Sequence, residues 1–355
     1  MNVALVFNLR EESVNDDEPP SHPPAELSPD IYAEWDDIDT ITAVEAALST
    51  RHQVALINAD LDVFQKLREL SPDFVFNIAE GLHGASREAQ IPALLDMLQI
   101  PYSGSDPLSL GMCLDKQRTK EILKQHRVPS PRFWIVANPV EIPRNLRYPL
   151  MVKPCLEGSS KGVTNNALVH NRKELVRQLE WITATYSQKA IIEEFLPGRE
   201  FTVALLGNGA DIRVLPIVEI NFASLPAGCN PIYSYEAKWL WDTQESPLPI
   251  FDCPARLDPF LAQQIEQLCR NAFNALGCRD WCRIDVRLDA LGRPQVIELN
   301  PLPGILPRPE QNSCFPKAAR AAGLSYTEMI LQVVDIASQR YNLVQEFSNE
   351  SRCLL

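Results

Sequence analysis

The sequence predicts an α/β protein: an open parallel sheet at the N-terminal end, a small α+β lid in the middle, and further strands and helices towards the C-terminal end. Three observations predict it. Strand-like apolar runs alternate with helix-period segments over the first hundred residues, a helix–strand–helix stretch follows, and a β-hairpin with charged residues on one face occupies residues 281–300. With 355 residues, 45% of them hydrophobic and 22% charged, the chain is too long for one ordinary core and too apolar for disorder. Two or three packed subdomains are therefore expected, divided as residues 1–103, 104–193 and 194–355.

Taken in order, Val3-Ala4-Leu5-Val6-Phe7 reads as a buried strand, and Ile41, Val44 and Leu48 line one face of a helix behind Asp39. Residues 54–57 repeat the strand. A helix over 61–70, a strand over 74–78 and a helix carrying Ile91, Leu94, Leu95 and Leu98 complete a βαβαβα run. Between the first strand and first helix, the acidic, proline-rich residues 11–37 are too polar to hold a core and read as a solvated excursion rather than as part of a site. In the lid, helices are expected over 116–126 and, behind Asn171, over 174–182, with a strand at 150–153. The remainder has a strand at 201–206 and a helix with Asp258 as cap, Pro259 at its first position and Gly277 as its stop. The last helix opens on the capping box Ser325 and Glu328, and the chain beyond Tyr341 reads as a frayed tail.

The formal charge of -13 argues against a surface built for nucleic acid or anionic lipid, so a small-molecule substrate is expected. No apolar run approaches the roughly 20 residues of a membrane helix. The first residues lack the zones of a signal peptide, so a cytoplasmic protein is expected. Nine cysteines without a CxxC pair suit reduced thiols. Cys278 and Cys282, having no matching second pair or histidine, read as small buried hydrophobes rather than zinc ligands.

Two segments carry chemistry. Residues 281–288 and 296–300 alternate polar and apolar around turn residues 289–294. If the loop holds an even number of residues, Asp285 lies opposite Glu298 and Arg283 opposite Asn300, with Ile284, Val286, Leu288, Ile297 and Leu299 on the other face. Such a polar face suits a hard cation such as Mg²⁺, or it is an outer face on which arginines supply counter-charge; the pattern leaves both open. The second segment runs from Lys153-Pro154 through Gly158-Ser159-Ser160-Lys161-Gly162. Small residues there let backbone amides approach phosphate oxygens, although the spacing is not that of a Walker A loop and a plain turn reads the same way. Lys153, if buried, needs a carboxylate or phosphate partner.

Glu80-Gly81-Leu82-His83-Gly84 with Glu88 and Gln90, residues 100–105, Leu114-Asp115-Lys116, the 153–163 loop, residues 193–202, Tyr235-Glu236-Ala237-Lys238 and residues 283–304 together resemble D-alanine:D-alanine ligases and related ATP-grasp enzymes. Order and spacing agree over residues 74–335. The resemblance implies an ATP-grasp fold with a Rossmann-like first domain and ATP held between the central and C-terminal sheets. It implies ligation of a carboxylate to an amine through an acyl phosphate, with ATP and two Mg²⁺ as cofactors. Position by position, it implies Lys116 and Lys153 on the ATP phosphates under a flap of Glu157, Gly158, Ser159, Ser160 and Gly162. Glu193 with the Phe195 and Leu196 backbone would hold adenine, and Glu200 the ribose. Asp285, Glu298 and Asn300 would hold metal, while Arg283 and the Gly304 amide face a tetrahedral oxyanion and Lys238 reaches the γ-phosphate. Ser159 positions substrate, His83 and Ser313 sit at substrate carboxylates, and Trp239 stands where the family has tyrosine.

The departures lie in the amino-acid pockets. Asn8-Leu9-Arg10-Glu11 replaces the turn that carries the family's ammonium-binding glutamate, and Glu34, Asp36 and Asp37 are the candidates to take that role. D-alanine is therefore one expected substrate, and other amino acids or a specialised metabolite are another. A catalytically silent nucleotide-binding protein is a third reading, disfavoured by retention of both lysines, Arg283 and all three metal positions. Kinship also implies a homodimer.

Overall fold

The computed structural model describes residues 1–10, 30, 32–242 and 247–343; most of the expected frayed tail lies outside them. Strands β1 (Asn2–Phe7), β2 (Gln53–Asn58) and β3 (Phe74–Asn77) form a parallel sheet in the order β2-β1-β3. Helices α1 (Ile38–Ser49), α2 (Val63–Leu70) and α3 (Gln90–Leu98) connect and follow them. Residues 3–7 of β1 are all buried, which is why the strand reads as a continuous apolar run rather than an alternation. Helix α1 is capped by Asp37, whose carboxylate accepts from the Thr40 N–H at 2.7 Å. Asp39, expected as the cap, lies instead in the first turn, where a negative charge suits the helix dipole.

The middle of the chain opens with α4 (Pro107–Leu114) and α5 (Lys116–Gln125), separated by Asp115. The Asp115 carboxylate caps α5 by accepting from the N–H groups of Gln117 and Arg118, which fixes Lys116 at the helix start. Strands β4 (Phe133–Val136), β5 (Leu150–Pro154), β6 (Leu168–Val169) and β7 (Ala190–Glu194) form an antiparallel sheet in the order β4-β7-β5-β6. Helix α6 (Arg172–Tyr186), capped by Asn171, covers it through Leu175, Leu179 and Ile182.

A six-stranded sheet completes the fold from β8 (Glu200–Leu206), β9 (Arg213–Val214), β10 (Val218–Ile220), β11 (Phe251–Asp252), β12 (Trp281–Leu288) and β13 (Pro294–Asn300). Around it pack α7 (Pro259–Ala275), α8 (Cys314–Ala321) and α9 (Tyr326–Arg340). Trp281, wholly buried at the start of β12, meets Phe76 of β3 edge-on at 5.7 Å and Phe315 of α8 at 5.6 Å. The first sheet and the last thus share one core. No helix among the described residues is long and apolar enough to cross a membrane.

The hairpin keeps the expected pairs by an unexpected route. Arg283 faces Asn300 and Asp285 faces Glu298, but Leu288 pairs with Pro294, leaving an odd loop of residues 289–293. A bulge restores the register: Val286 pairs with Val296, so Ile297 is the extra residue. Consequently Val296, not Ile297, is buried in the apolar core, and Ile297 is half-buried against a cavity.

Asp280, fully buried, accepts from the Gly104 N–H at 2.8 Å, from Asn208 Nδ2 at 2.8 Å and from the Arg340 guanidinium at 2.7 Å, joining three regions of the chain. Asp280→Ala takes the shared acceptor from the Gly104 N–H, the Asn208 amide and the partly buried Arg340 guanidinium and is expected to lower unfolding free energy by about 3 kcal/mol. Urea titration checks this, and a loss below about 1 kcal/mol would be incompatible with that role.

Candidate active site

A cavity of about 430 Å³ is lined by residues of both antiparallel sheets, among them Lys153 of β5, Glu193 of β7, Glu200 of β8, Arg283 and Asp285 of β12 and Glu298 of β13. That size is ordinary for a small-molecule site. At its base Glu193 is buried between two ammonium groups, Lys120 at 2.6 Å and Lys153 at 2.8 Å. Burial opposes ionisation of Glu193, but the two lysines outweigh it and hold the carboxyl down at about 2. Burial likewise opposes the Lys153 charge, yet Glu193 carries its pKa upward; for Lys120, burial prevails and the shift is downward. Lys120 also donates to the consecutive carbonyls of Val296 and Ile297, at 3.3 and 3.0 Å. In a regular strand successive carbonyls point opposite ways, so the bulge allows one lysine to reach both.

Lys116 donates to the Glu157 carbonyl and lies 3.5 Å from Glu298. Glu298 is held down at about 2: burial works against its charge, and Lys116, Lys153, Arg283 and Lys238 overcome it. Beside it Asp285 accepts from Arg283 Nε and Nη2, both at 3.2 Å, and from Asn300 Nδ2 at 3.4 Å. Two carboxylates and an amide oxygen make a hard-oxygen donor set that could hold a divalent cation. Burial and the neighbouring Arg283 lower Lys238 to about 8, and its ammonium lies 5.2 Å from the Trp239 ring centre.

The glycine-serine loop holds Ser159, Ser160 and Gly162 at φ of 48°, 61° and 72°, a left-handed run that is costly for the two serines. It is held by its neighbours. The Trp239 indole donates to the Ser159 carbonyl at 3.1 Å, the Ser160 hydroxyl donates to the Tyr233 carbonyl at 2.9 Å, and Glu157 pairs with Lys161 at 2.6 Å. Over the loop lies the end of the acidic stretch. Glu34 accepts from the Gly158 N–H at 3.0 Å, from Lys161 at 3.3 Å and from Arg87 at 2.8 Å. A Cβ on Gly158 would sit 2.5 Å from the Glu34 Oε1, so any side chain there would displace that carboxylate. Asp30 accepts from the Gly162 N–H and the Tyr186 hydroxyl. The expectation of a solvated excursion is therefore corrected for residues 30 and 32–37, of which Asp30 and Glu34 find N–H and cationic partners in the loop and Asp36 and Asp37 line the cavity; residues 11–29 and 31 lie outside the described part.

Glu200 pairs with Arg287 at 2.7 Å, and the Arg287 guanidinium stacks 4.7 Å over Phe195. Leu196 lines the cavity, and the Phe195 N–H contacts the Pro149 carbonyl at 3.4 Å. The Ser313 hydroxyl donates to the Gly304 carbonyl at 2.9 Å and accepts from the Leu306 N–H at 3.2 Å, tying down the strand exit. The Gly304 N–H has no hydrogen-bond partner among the described residues. Of the expected site residues, His83 and Gly162 are the two that do not line the cavity. Gly81 and Gly84, at φ of 72° and 95°, turn their loop outward so that His83 is exposed, while Arg87 and Glu88 are carried inward.

Sequence reasoning missed three participants. Lys120 follows Lys116 by four residues on one helix, a spacing that places both on one face. Arg287 lies opposite Glu200 across β12 and β8, which needs the sheet order to be seen. Arg87 has no sequence signal, because its partners Glu34 and Glu157 are distant in the chain.

Residues 130–335 match the family described as D-ala D-ala ligase C-terminus. The chain is 36% identical over 308 residues to an uncharacterised protein, y4sG, of Sinorhizobium fredii, covering 84% of this chain and 87% of that one. It is 34% identical over 297 residues to a D-alanine–D-alanine ligase of Bordetella petrii, covering 81% and 85%. In structure it resembles the D-alanine–D-alanine ligase of Bacillus anthracis complexed with ATP, with a TM-score of 0.69 and 22% identity over 96% of this chain and 98% of that one.

Because the folded Glu193 pKa lies below its unfolded value near 4.5, the stability it contributes is complete above that value and is lost as pH falls towards 2. Glu193→Gln is expected to flatten the fall in unfolding free energy between pH 4.5 and 2 and to lower stability at pH 7. Urea titrations across that range measure both, and an unchanged slope would show that the carboxylate is not held between charges.

Proposed function

The chain belongs to the D-alanine–D-alanine ligase family, and from that premise we propose that this ATP-dependent ligase activates the carboxylate of one amino acid as an acyl phosphate and joins it to the amine of another. One observation supports this reading above the rest: Lys116, Lys153, Lys238 and Arg283 all bear on Glu298 in one cavity, so fixed positive charge is concentrated where a polyphosphate can lie.

In the first step a carboxylate oxygen attacks the γ-phosphorus and the bond to the ADP oxygen breaks. Two anions meet, and Lys116 and Lys153 offset that repulsion on the phosphate oxygens, with Lys153 fixed by Glu193. The Glu157–Gly162 loop, whose Gly158 and Gly162 N–H groups are held by Glu34 and Asp30, keeps its Ser159 and Ser160 N–H groups for the phosphates and excludes water that would hydrolyse the product. Asp285, Glu298 and Asn300 would hold Mg²⁺, whose charge offsets that gathering on the transferring phosphoryl oxygens. In the second step the amine lone pair attacks the acyl carbon, and the carbon–oxygen bond to phosphate breaks after a tetrahedral oxyanion has formed. Arg283, oriented by Asp285, and the unengaged Gly304 N–H donate to that oxyanion. Ser313 keeps Gly304 in position. Glu193, the backbone at Phe195 and Leu196, and Glu200 line the part of the cavity assigned to the nucleoside.

The departures in the amino-acid pockets, with Trp239 donating to the Ser159 carbonyl in place of a tyrosine hydroxyl, favour a pair other than two D-alanines. The acyl phosphate is tested with a substrate carboxylate carrying ¹⁸O, one atom of which is expected in the released phosphate. Phosphate without the label would remove the acyl phosphate. Arg283→Met is expected to lower kcat by about 10²–10³ with a smaller change in KM, as fits a group acting on the oxyanion. An equal loss through KM alone would assign Arg283 to ground-state binding.

A further inference from the structure

The carboxylates at the end of the cavity below residues 33–37 divide into two groups. Glu34 is held by Arg87, Lys161 and the Gly158 N–H, and Glu157 by Lys161 at 2.6 Å and Gln188 at 2.7 Å. Asp36, Glu80 and Glu88 line the same cavity, and none of their carboxylates has a hydrogen bond or ion pair among the described residues. Glu88 is only 8% exposed and faces this space without a partner. The nearby cations are already engaged: Arg87 with Glu34 and Glu157, and Lys116 with Glu298 and the Glu157 carbonyl. Of the three carboxylates, Asp36 has the charge of Arg10 nearby, which offsets it in part without an ion pair. Burial, then the Glu34 charge, pushes the Glu88 carboxyl up to about 8, and burial, then Asp37, does the same to Asp36. Glu80 is raised by burial and by Glu88. Groups so placed hold a proton at neutral pH, and a cation entering among them would favour their ionised form.

The cation that suits this wall is unlike a metal ion. Among the described residues no three of His, Cys, Asp and Glu converge closely enough to hold one, so the carboxylates are spread along a wall rather than gathered on a point. One α-ammonium can neutralise one carboxylate and leaves the others buried and unpaired. We propose that this wall binds an amino acid with a second, side-chain amine, whose two ammonium groups are shared among Asp36, Glu80 and Glu88. Rejection of alanine follows from the same geometry, because its methyl group leaves at least two carboxylates uncompensated. The proposal rests on the ligase reading above and narrows its substrate class.

The test compares ornithine, 2,4-diaminobutyrate and alanine, each as both enantiomers, alone and in pairs, by ATP-dependent phosphate release. A diamino acid is expected to exceed alanine in kcat/KM by about tenfold or more, and Glu80→Gln and Glu88→Gln to reduce that ratio by about tenfold. Alanine turned over as well as the diamino acids overturns the proposal while leaving the ligase reading intact. If no amino acid releases phosphate, the ligase reading fails instead, and calorimetric titration of the same amino acids into the protein decides the inference. Ornithine binding about tenfold tighter than alanine supports it, and equal or absent binding of the two overturns it. The wild-type comparison is independent of whether either variant folds.

Discussion

A carboxylate buried between two ammonium groups organises the cavity. Taking Glu193, Lys120 and Lys153 out of water is unfavourable for each alone, and the cluster persists because each charge has a near neighbour of opposite sign. The three residues come from β7, α5 and β5, so their pairing fixes a helix against a sheet. Lys120 extends the linkage by donating to two carbonyls of β13, which carries Glu298. Orientation of the lysines that face the cavity therefore depends on the same contacts that hold the two antiparallel sheets around it.

The bulge at Ile297 serves both ends of this linkage. Were the strands paired continuously from Leu288 and Pro294 with no bulge, Asp285 would face Ile297 and Glu298 would face Ile284, so the carboxylates would fall on opposite faces. With it, the acidic pair faces the cavity while Val296 and Leu299 remain in the core. Trp281 places the start of β12 by packing between Phe76 and Phe315, so Arg283 is positioned by the common core of the first and last sheets. A well-packed apolar contact thus sets the reach of a charged side chain two residues away.

The acidic segment over the glycine-serine loop changes the electrostatics of one end of the cavity. Glu34 occupies the cations nearest to it, and the carboxylates deeper in that wall are left to find positive charge elsewhere. Part of the cavity lining pairs lysines and Arg283 with carboxylates, whereas Asp36, Glu80 and Glu88 line it without paired cations among the described residues. Such a division suits a protein that binds a polyanion beside an amine.

Periodicity and capping chemistry are local, and they determined the βαβαβα run, the caps Asn171 and Asp258 with the stop at Gly277, and the capping box at Ser325. The face shared by Arg283, Asp285, Glu298 and Asn300 was also legible, because alternation along paired strands is a short-range property. Tertiary structure alone decided the rest. An odd loop corrected by a bulge, a lysine shared between Glu193 and two carbonyls, and Arg87 meeting Glu34 and Glu157 all depend on which surfaces pack together. His83 shows the same limit in reverse: its local context matched a family motif, but two left-handed glycines turn it to solvent. Sequence patterns specify elements through interactions of near neighbours, whereas a buried charge acquires its partner only when segments distant in the chain are brought into one low-dielectric space.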